Sequence, residues 1–285
     1  MRTGMMVLLG LCLVASGCGK DGAKPLICHV GGTMCPVLEK LSEDYEAETG
    51  QKIEINSGGS GEVLAHIELQ KSGDVYVCHD PFLDTLMKKN LGIDGWVLAE
   101  LTPVIVVKKG NPKKITGLAD LTRPEIEVWL TDYKRSTLGR MLPTIFAKAG
   151  IDFDKLNRDK KINTHKKGGY VANMVVTGNG DAAMCWLAVA ALRKKDLDVV
   201  TIPTEHLPVP KGEPNCDTIT SATGKDYALT PVRVTIATLK CSEQPEAAQK
   251  FAEYIASDRA AEVLKEYGFT ITNPRKAYDD GKAMD

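Results

Sequence analysis

Apolar and polar residues alternate along Ile53-Glu-Ile-Asn56, and the period then becomes helical at Val63, Leu64 and Ile67. This predicts a strand that runs into a helix, with Ser57-Gly-Gly-Ser-Gly61 as the loop between them. The same switch occurs on either side. Leu26–Val30 reads as a strand, and Pro36–Thr49 as a helix with Val37, Leu38, Leu41 and Tyr45 on one face. Pro36 suits the first helical turn and Gly50 the stop. Asp74–His79 is a third strand, and Asp80-Pro81 opens a helix carrying Phe82, Leu83, Leu86 and Met87. Strand and helix in threefold succession predict a parallel sheet covered on both faces. Right-handed crossovers place all three strand-to-helix loops at one sheet edge, where open α/β domains bind ligands.

Thr102–Lys108 is an isolated apolar strand, and with Leu229–Thr238 it gives two candidate hinge crossings. Between them the pattern restarts. Ile126–Leu130, Asp181–Trp186 and Val199–Ile202 read as strands, Thr137–Ala149 and Gly169–Thr177 as helices. Beyond the second crossing, Gln244–Ala256 and Arg259–Tyr267 are amphipathic helices assigned back to the first lobe. Residues 204–225, with Pro208, Pro210 and Pro214, read as surface loop. The expected organisation is α/β with two lobes, each a mostly parallel sheet flanked by helices, joined by two hinge strands. Lobe 1 takes residues 26–103 plus 230–285, and lobe 2 takes 104–229.

The first residues stand outside this pattern. Arg2 precedes an apolar run from Met5 to Val14, too short to span a bilayer comfortably. Ala15-Ser16-Gly17-Cys18 then leads into polar Gly19-Lys20-Asp21. This is similar to a bacterial lipoprotein signal, with residues 1–17 removed, Cys18 lipidated and 18–25 a tether. An ordinary cleaved signal with an incidental cysteine is the plainer reading. Lipidation would hold the protein at the extracytoplasmic or periplasmic face of a membrane with no helix crossing it.

With a net charge of −1, nothing in the composition suggests a nucleic-acid surface. Gly-Gly-Ser60-Gly fails the Gly-x-Ser-x-Gly nucleophile pattern, and no Walker loop or zinc-protease helix is present, so an enzyme is not expected. What Ser57 to Gly61 does offer is N–H groups and hydroxyls at a helix N-terminus, where the dipole favours an anion.

The ordered segments resemble a known family. They are Tyr45-Glu-Ala-Glu-Thr-Gly50 before the second strand, Gly58-Gly-Ser-Gly61 and Gly73-Asp-Val-Tyr-Val77. Val104-Ile-Val-Val-Lys-Lys-Gly-Asn-Pro112, Gly178-Asn-Gly-Asp-Ala-Ala-Met-Cys-Trp186 and Leu264-Lys-Glu-Tyr-Gly-Phe269 follow. In this the chain resembles the molybdate/tungstate-binding receptors of ABC transporters, which have the type II periplasmic-binding-protein fold. The resemblance implies a tetrahedral oxyanion held between the lobes by hydroxyls and N–H groups and delivered to a permease. It needs no cofactor and is consistent with a monomer. Carried over by position, lobe 1 supplies Gly32, Thr33, Ser57, Ser60 and Gly61, with Cys78 and His79 at the end of strand 3. Lobe 2 supplies Thr137, Leu138, Gly168 and Gly169, and Trp186 stands where some relatives have a tyrosine.

Several residues depart from that pattern. Cys28-His29 and Cys78-His79 end neighbouring strands, and thiolate with imidazole suits zinc or copper(I). A Cys28–Cys78 disulfide, or buried thiols beside backbone-bonded histidines, is the alternative. Pairing among the remaining cysteines is not read from spacing. Lys134-Arg135 and Lys166-Lys167 lie near the lobe 2 donors as a solvated basic face, and an inward Arg135 would favour an anion of higher charge or a phosphorus oxyacid; another oxyanion such as sulfate is the alternative cargo. Trp186 offers an indole N–H or packs in the core.

Overall fold

The computed structural model describes residues 24–160, 162–209, 217–220, 226–228 and 231–284. The expected signal segment with Cys18, and Pro210, Pro214, Cys216, Leu229 and Thr230, lie outside them. The chain begins β1 (Leu26–Gly31), α1 (Cys35–Thr49), β2 (Ile53–Gly58), α2 (Ser60–Gln70), β3 (Val75–His79) and α3 (Phe82–Lys88). It continues with β4 (Gly92–Leu101), β5 (Pro103–Lys108), β6 (Val128–Thr131), α4 (Thr137–Lys148), α5 (Phe153–Lys160) and β7 (Asn163–His165). Then come α6 (Gly168–Val176), β8 (Ala182–Trp186), α7 (Leu187–Ala191), β9 (Leu197–Thr201) and a short hairpin, β10 (Thr218–Thr220) with β11 (Asp226–Ala228). The chain closes with β12 (Val232–Leu239), α8 (Pro245–Ile255), α9 (Asp258–Glu266), β13 (Thr270–Asp279) and β14 (Lys282–Ala283).

Two larger sheets organise these elements, ordered β14-β13-β4-β12-β3-β1-β2 and β7-β6-β8-β5-β9. Parallel pairing holds among β1, β2 and β3, and among β6, β7 and β8. The sheets are nevertheless mixed, because β12, β4 and β13 pair antiparallel in the first and β5 joins β8 and β9 antiparallel in the second. The expectation of mostly parallel sheets underestimated these long return strands. β4 was missed altogether, and its glycines explain why. A Cβ on Gly92 or Gly95 would come within 2.9 Å of Leu86, Met87 or Leu83, so both glycines are there to let α3 lie close.

Thr102 alone separates β4 in the first sheet from β5 in the second, which makes it the outgoing crossing. The return crossing precedes β12, which lies wholly in the first sheet. A main core joins β1, β3 and β4 to β5, β6 and β8, and a smaller cluster fills the other face of the first sheet beneath α2 and α3. Among the described residues no helix is long and apolar enough to cross a membrane.

The strand pleat decides the fate of the Cys-His pairs. Cys28 lies in the main core and Cys78 in the smaller cluster, on opposite faces of the sheet. Both are free thiols, so the expected Cys28–Cys78 bridge is corrected. The four-residue soft-metal alternative fails for the same reason, since Cys28 and His29 also project to opposite faces. Burial pushes the Cys78 thiol up to about 12, far from the thiolate a metal needs.

His29 is 3% exposed, and its Nε2 donates to the Ser72 carbonyl at 3.0 Å. Gly73, at φ +107°, admits the ring, since a Cβ there would meet it at 2.4 Å. Burial holds both His29 and His79 below the ordinary 6.5. The unfolded chain therefore takes up more protons than the native one below about pH 6.5. Stability is full above that value and falls as pH drops through it. Urea midpoints should decrease from pH 7.5 to pH 5, and less steeply for His29→Gln; a flat profile would contradict the burial.

Candidate functional site

The parallel strands of each sheet end at helix N-termini, and these are what the site is made of. In the first sheet β2 delivers Gly59 and Ser60. Gly59 N–H donates to the Glu62 carboxylate at 3.1 Å, so Glu62 serves the first turn of its own helix. The N–H groups of Ser60 and Gly61 have no partner among the described residues. Ser60 is 5% exposed, and its Oγ is sealed and likewise unpartnered. That hydroxyl lies 2.3 Å from where a Cβ on Gly31 would stand, so the bare backbone of loop 1 is what makes room for it. Tyr76 fixes the turn from below, its hydroxyl donating to the Ser60 carbonyl at 2.6 Å.

Other expected lobe 1 residues fare unequally. Gly32 N–H is spent on the Gly58 carbonyl at 2.7 Å, while Thr33 N–H has no partner among the described residues. Ser57 is exposed, and the neighbouring Cys35 thiol donates to Glu39 Oε1 at 3.4 Å. The Cys78 thiol is turned away, 3.2 Å from Thr235 Oγ1. His79 is half-buried at the end of β3, edge-on to Phe82 with ring centroids 5.6 Å apart. Phe82 in turn lies 3.0 Å from the Cβ position of Gly61.

The second sheet presents α4 and α6. Asp132 organises the approach to α4, accepting the Lys134 and Arg135 N–H groups at 2.8 and 3.1 Å on its carboxylate. Ser136 caps the helix by accepting Gly139 N–H at 2.8 Å. The N–H groups of Thr137 and Leu138 remain without partners among the described residues. So do those of Gly168 and Gly169 at the start of α6, where Lys167 N–H goes to His165 Nδ1 at 3.1 Å. The Arg135 side chain is exposed on the outer turn with Lys134, and Lys167 is exposed beside α6. Trp186 is 6% exposed and belongs to the main core.

One contact places the two edges opposite each other. Lys166 Nζ lies 3.9 Å from Glu62 Oε1, joining the first turn of α2 to the loop before α6. Two features escaped the sequence reading. Thr131, the last residue of β6, is 3% exposed with a sealed, unpartnered hydroxyl beside Gly168. Only its place at a strand end could have signalled it. At the other, Arg233 grips Asp80 through Nε and Nη2 at 2.8 and 2.7 Å, and the Arg233 N–H also donates to Asp80 at 2.9 Å. That clamp ties the start of β12 to the end of β3. It raises the Arg233 pKa further, chiefly through the Asp80 hydrogen bonds.

Taken together, the edges offer unpaired N–H groups and two sealed hydroxyls among the described residues, a donor set for an anion. Residues 27–270 match the family described as bacterial extracellular solute-binding protein. The molybdate-binding protein ModA of Mycobacterium tuberculosis is 25% identical over 254 residues, covering 87% of this chain and 85% of that one. The periplasmic molybdate-binding protein of Azotobacter vinelandii superimposes with a TM-score of 0.63 at 15% identity, covering 87% and 99%. The sulfate-binding protein SubI of Mycobacterium tuberculosis gives 0.62 at 21% identity, covering 88% of each chain.

Proposed function

The chain belongs to the family of bacterial extracellular solute-binding proteins, and from that premise we propose that it captures a small tetrahedral oxyanion between its two lobes. The lobes are 26–103 with 230–285, and 104–229. It then delivers the anion to an ABC permease, held at the extracytoplasmic face through Cys18. The observation that carries this reading is the donor set: unpaired N–H groups at the starts of α2, α4 and α6, with Ser60 an orphan hydroxyl among them. Charge-assisted bonds from neutral donors satisfy a buried dianion without a fixed countercharge. Ligand would stabilise the closed arrangement by its differential affinity for that state, with Thr102 absorbing part of the motion.

Within this class, molybdate or tungstate is the cargo that the resemblance and the ModA relative suggest. A phosphorus oxyacid is the second reading, favoured by the state of His79 taken up below. Calorimetric titration of residues 19–285 with molybdate, tungstate, sulfate and phosphate tests the class as a whole. Ser60→Ala should weaken the bound anion roughly tenfold to hundredfold, the value of one charge-assisted hydrogen bond. The same variant should be no less stable without ligand, because it removes a buried hydroxyl that has no partner. Unchanged affinity would remove Ser60 from the site.

A further inference from the structure

His79 stands at the carboxyl end of β3, with Phe82 between it and Gly61 of the α2 turn, and its hydrogen bonding fixes where its proton sits. Its Nδ1 lies 2.7 Å from the carbonyl oxygen of Asp80. A carbonyl only accepts, so Nδ1 must carry the hydrogen. Nε2 has no hydrogen-bond partner among the described residues, and unlike Ser60 Oγ it is not among the sealed atoms. Its Phe82 neighbour brings only an apolar ring, which links it to Gly61 of the α2 turn. Both oxygens of the Asp80 carboxylate are engaged by Arg233, and its pull on the imidazole is smaller than the opposing effect of burial. Burial lowers the pKa of the imidazole below the ordinary 6.5, which favours the neutral ring with the lone pair on Nε2.

We propose that Nε2 of His79 is a lone-pair acceptor at the anion cleft, which selects an oxyanion still carrying one hydroxyl, such as monohydrogen phosphate, over a fully deprotonated one. The inference rests on the oxyanion-receptor reading and names the ligand class within it. Every other donor at the cleft suits any tetrahedral dianion. A lone pair facing molybdate, tungstate or sulfate would oppose an oxygen that has no hydrogen to give. Facing monohydrogen phosphate or arsenate, the same nitrogen accepts the remaining O–H. A buried acceptor that loses its partner is penalised, which discriminates more sharply than an extra attraction does.

The test is a set of titrations at one neutral pH with phosphate, arsenate, sulfate, molybdate and tungstate, for the natural protein and for His79→Ala. Phosphate and arsenate should bind roughly tenfold to hundredfold tighter than the proton-free anions. His79→Ala should shrink that ratio to within about threefold, with thermal unfolding showing that the variant is folded. Nitrogen-15 shifts of the imidazole give a second reading that needs no variant. Phosphate should move Nε2 while Nδ1 stays protonated. Tighter binding of molybdate, tungstate or sulfate, a ratio unchanged in His79→Ala, or an Nε2 that is protonated in the free protein would overturn the inference and leave the receptor intact. Silence from all five anions would instead sink the receptor reading itself.

Discussion

Asp80→Ala is expected to destabilise the protein by about 2–3 kcal/mol. Asp80 has 11% of its side chain exposed and Arg233 30%, so the guanidinium left behind is half-buried, with Asp84 3.6 Å away and Glu100 opposite it on β4. The Arg233 backbone N–H loses its acceptor at the same time. For a chain of this size the cost corresponds to a fall of roughly 5–10 °C in Tm. Partial exposure keeps the figure at the lower end for a broken buried pair. Replacing both partners, as in Asp80→Ala with Arg233→Met, should recover more than half of the loss, because the unpaired charge is gone. A double variant as unstable as the single one would show that the unpaired guanidinium is not the source of the loss. The pair also joins β12, which follows the return crossing, to the strand that ends in His79, so its loss should loosen lobe closure as well as the fold.

The sequence made the first half of each lobe legible for a physical reason. β1, β2 and β3 are short runs between strong helix signals, and Pro36, Gly50 and the Ser/Gly loop mark where one period gives way to the other. α4, α6, α8 and α9 fall within about two residues of their expected bounds, the usual fraying of helix ends. The long strands that complete the first sheet were illegible. β4 carries two glycines whose meaning lies in the side chains of α3, and β13 runs through Asn273, Pro274, Arg275 and Lys276, residues that argue against a strand locally. Tertiary pairing with β4 overrides that preference.

For the candidate site, sequence found the loops but not the state of their atoms. That Gly32 N–H is spent and Thr137 N–H is unpaired depends on which carbonyl each loop folds back upon. Alternation along a strand sends neighbouring Cys and His to opposite faces, and the two core clusters show Cys28 and Cys78 separated in this way. Thr131 and Arg233 rest on contacts between segments far apart in the chain, which no local pattern encodes, and the tautomer of His79 rests on the local turn that brings the Asp80 carbonyl to its Nδ1.

Gly31→Ala is expected to cost about a hundredfold in oxyanion affinity while leaving the protein folded. The new methyl would lie 2.3 Å from Ser60 Oγ and 2.6 Å from Met34 Cε, distances no real Cβ tolerates. Both obstacles are side-chain ends, so the fold can yield: Met34 bends away and Ser60 rotates or drags the first turn of α2 with it. The site cannot yield as easily. A displaced hydroxyl loses one charge-assisted bond, and a displaced first turn misdirects the Ser60 and Gly61 N–H groups, together about 2.7 kcal/mol of binding. Gly32→Ala provides the control next door, because its Cβ would meet only the Gly58 carbonyl at 3.5 Å, an ordinary contact. That variant should bind like the natural protein. Combining Gly31→Ala with Ser60→Ala separates the two components. If the hydroxyl is the main casualty, the double variant binds no worse than Gly31→Ala alone; strict additivity would mean that the methyl acts on the backbone donors and that Ser60 contributes independently.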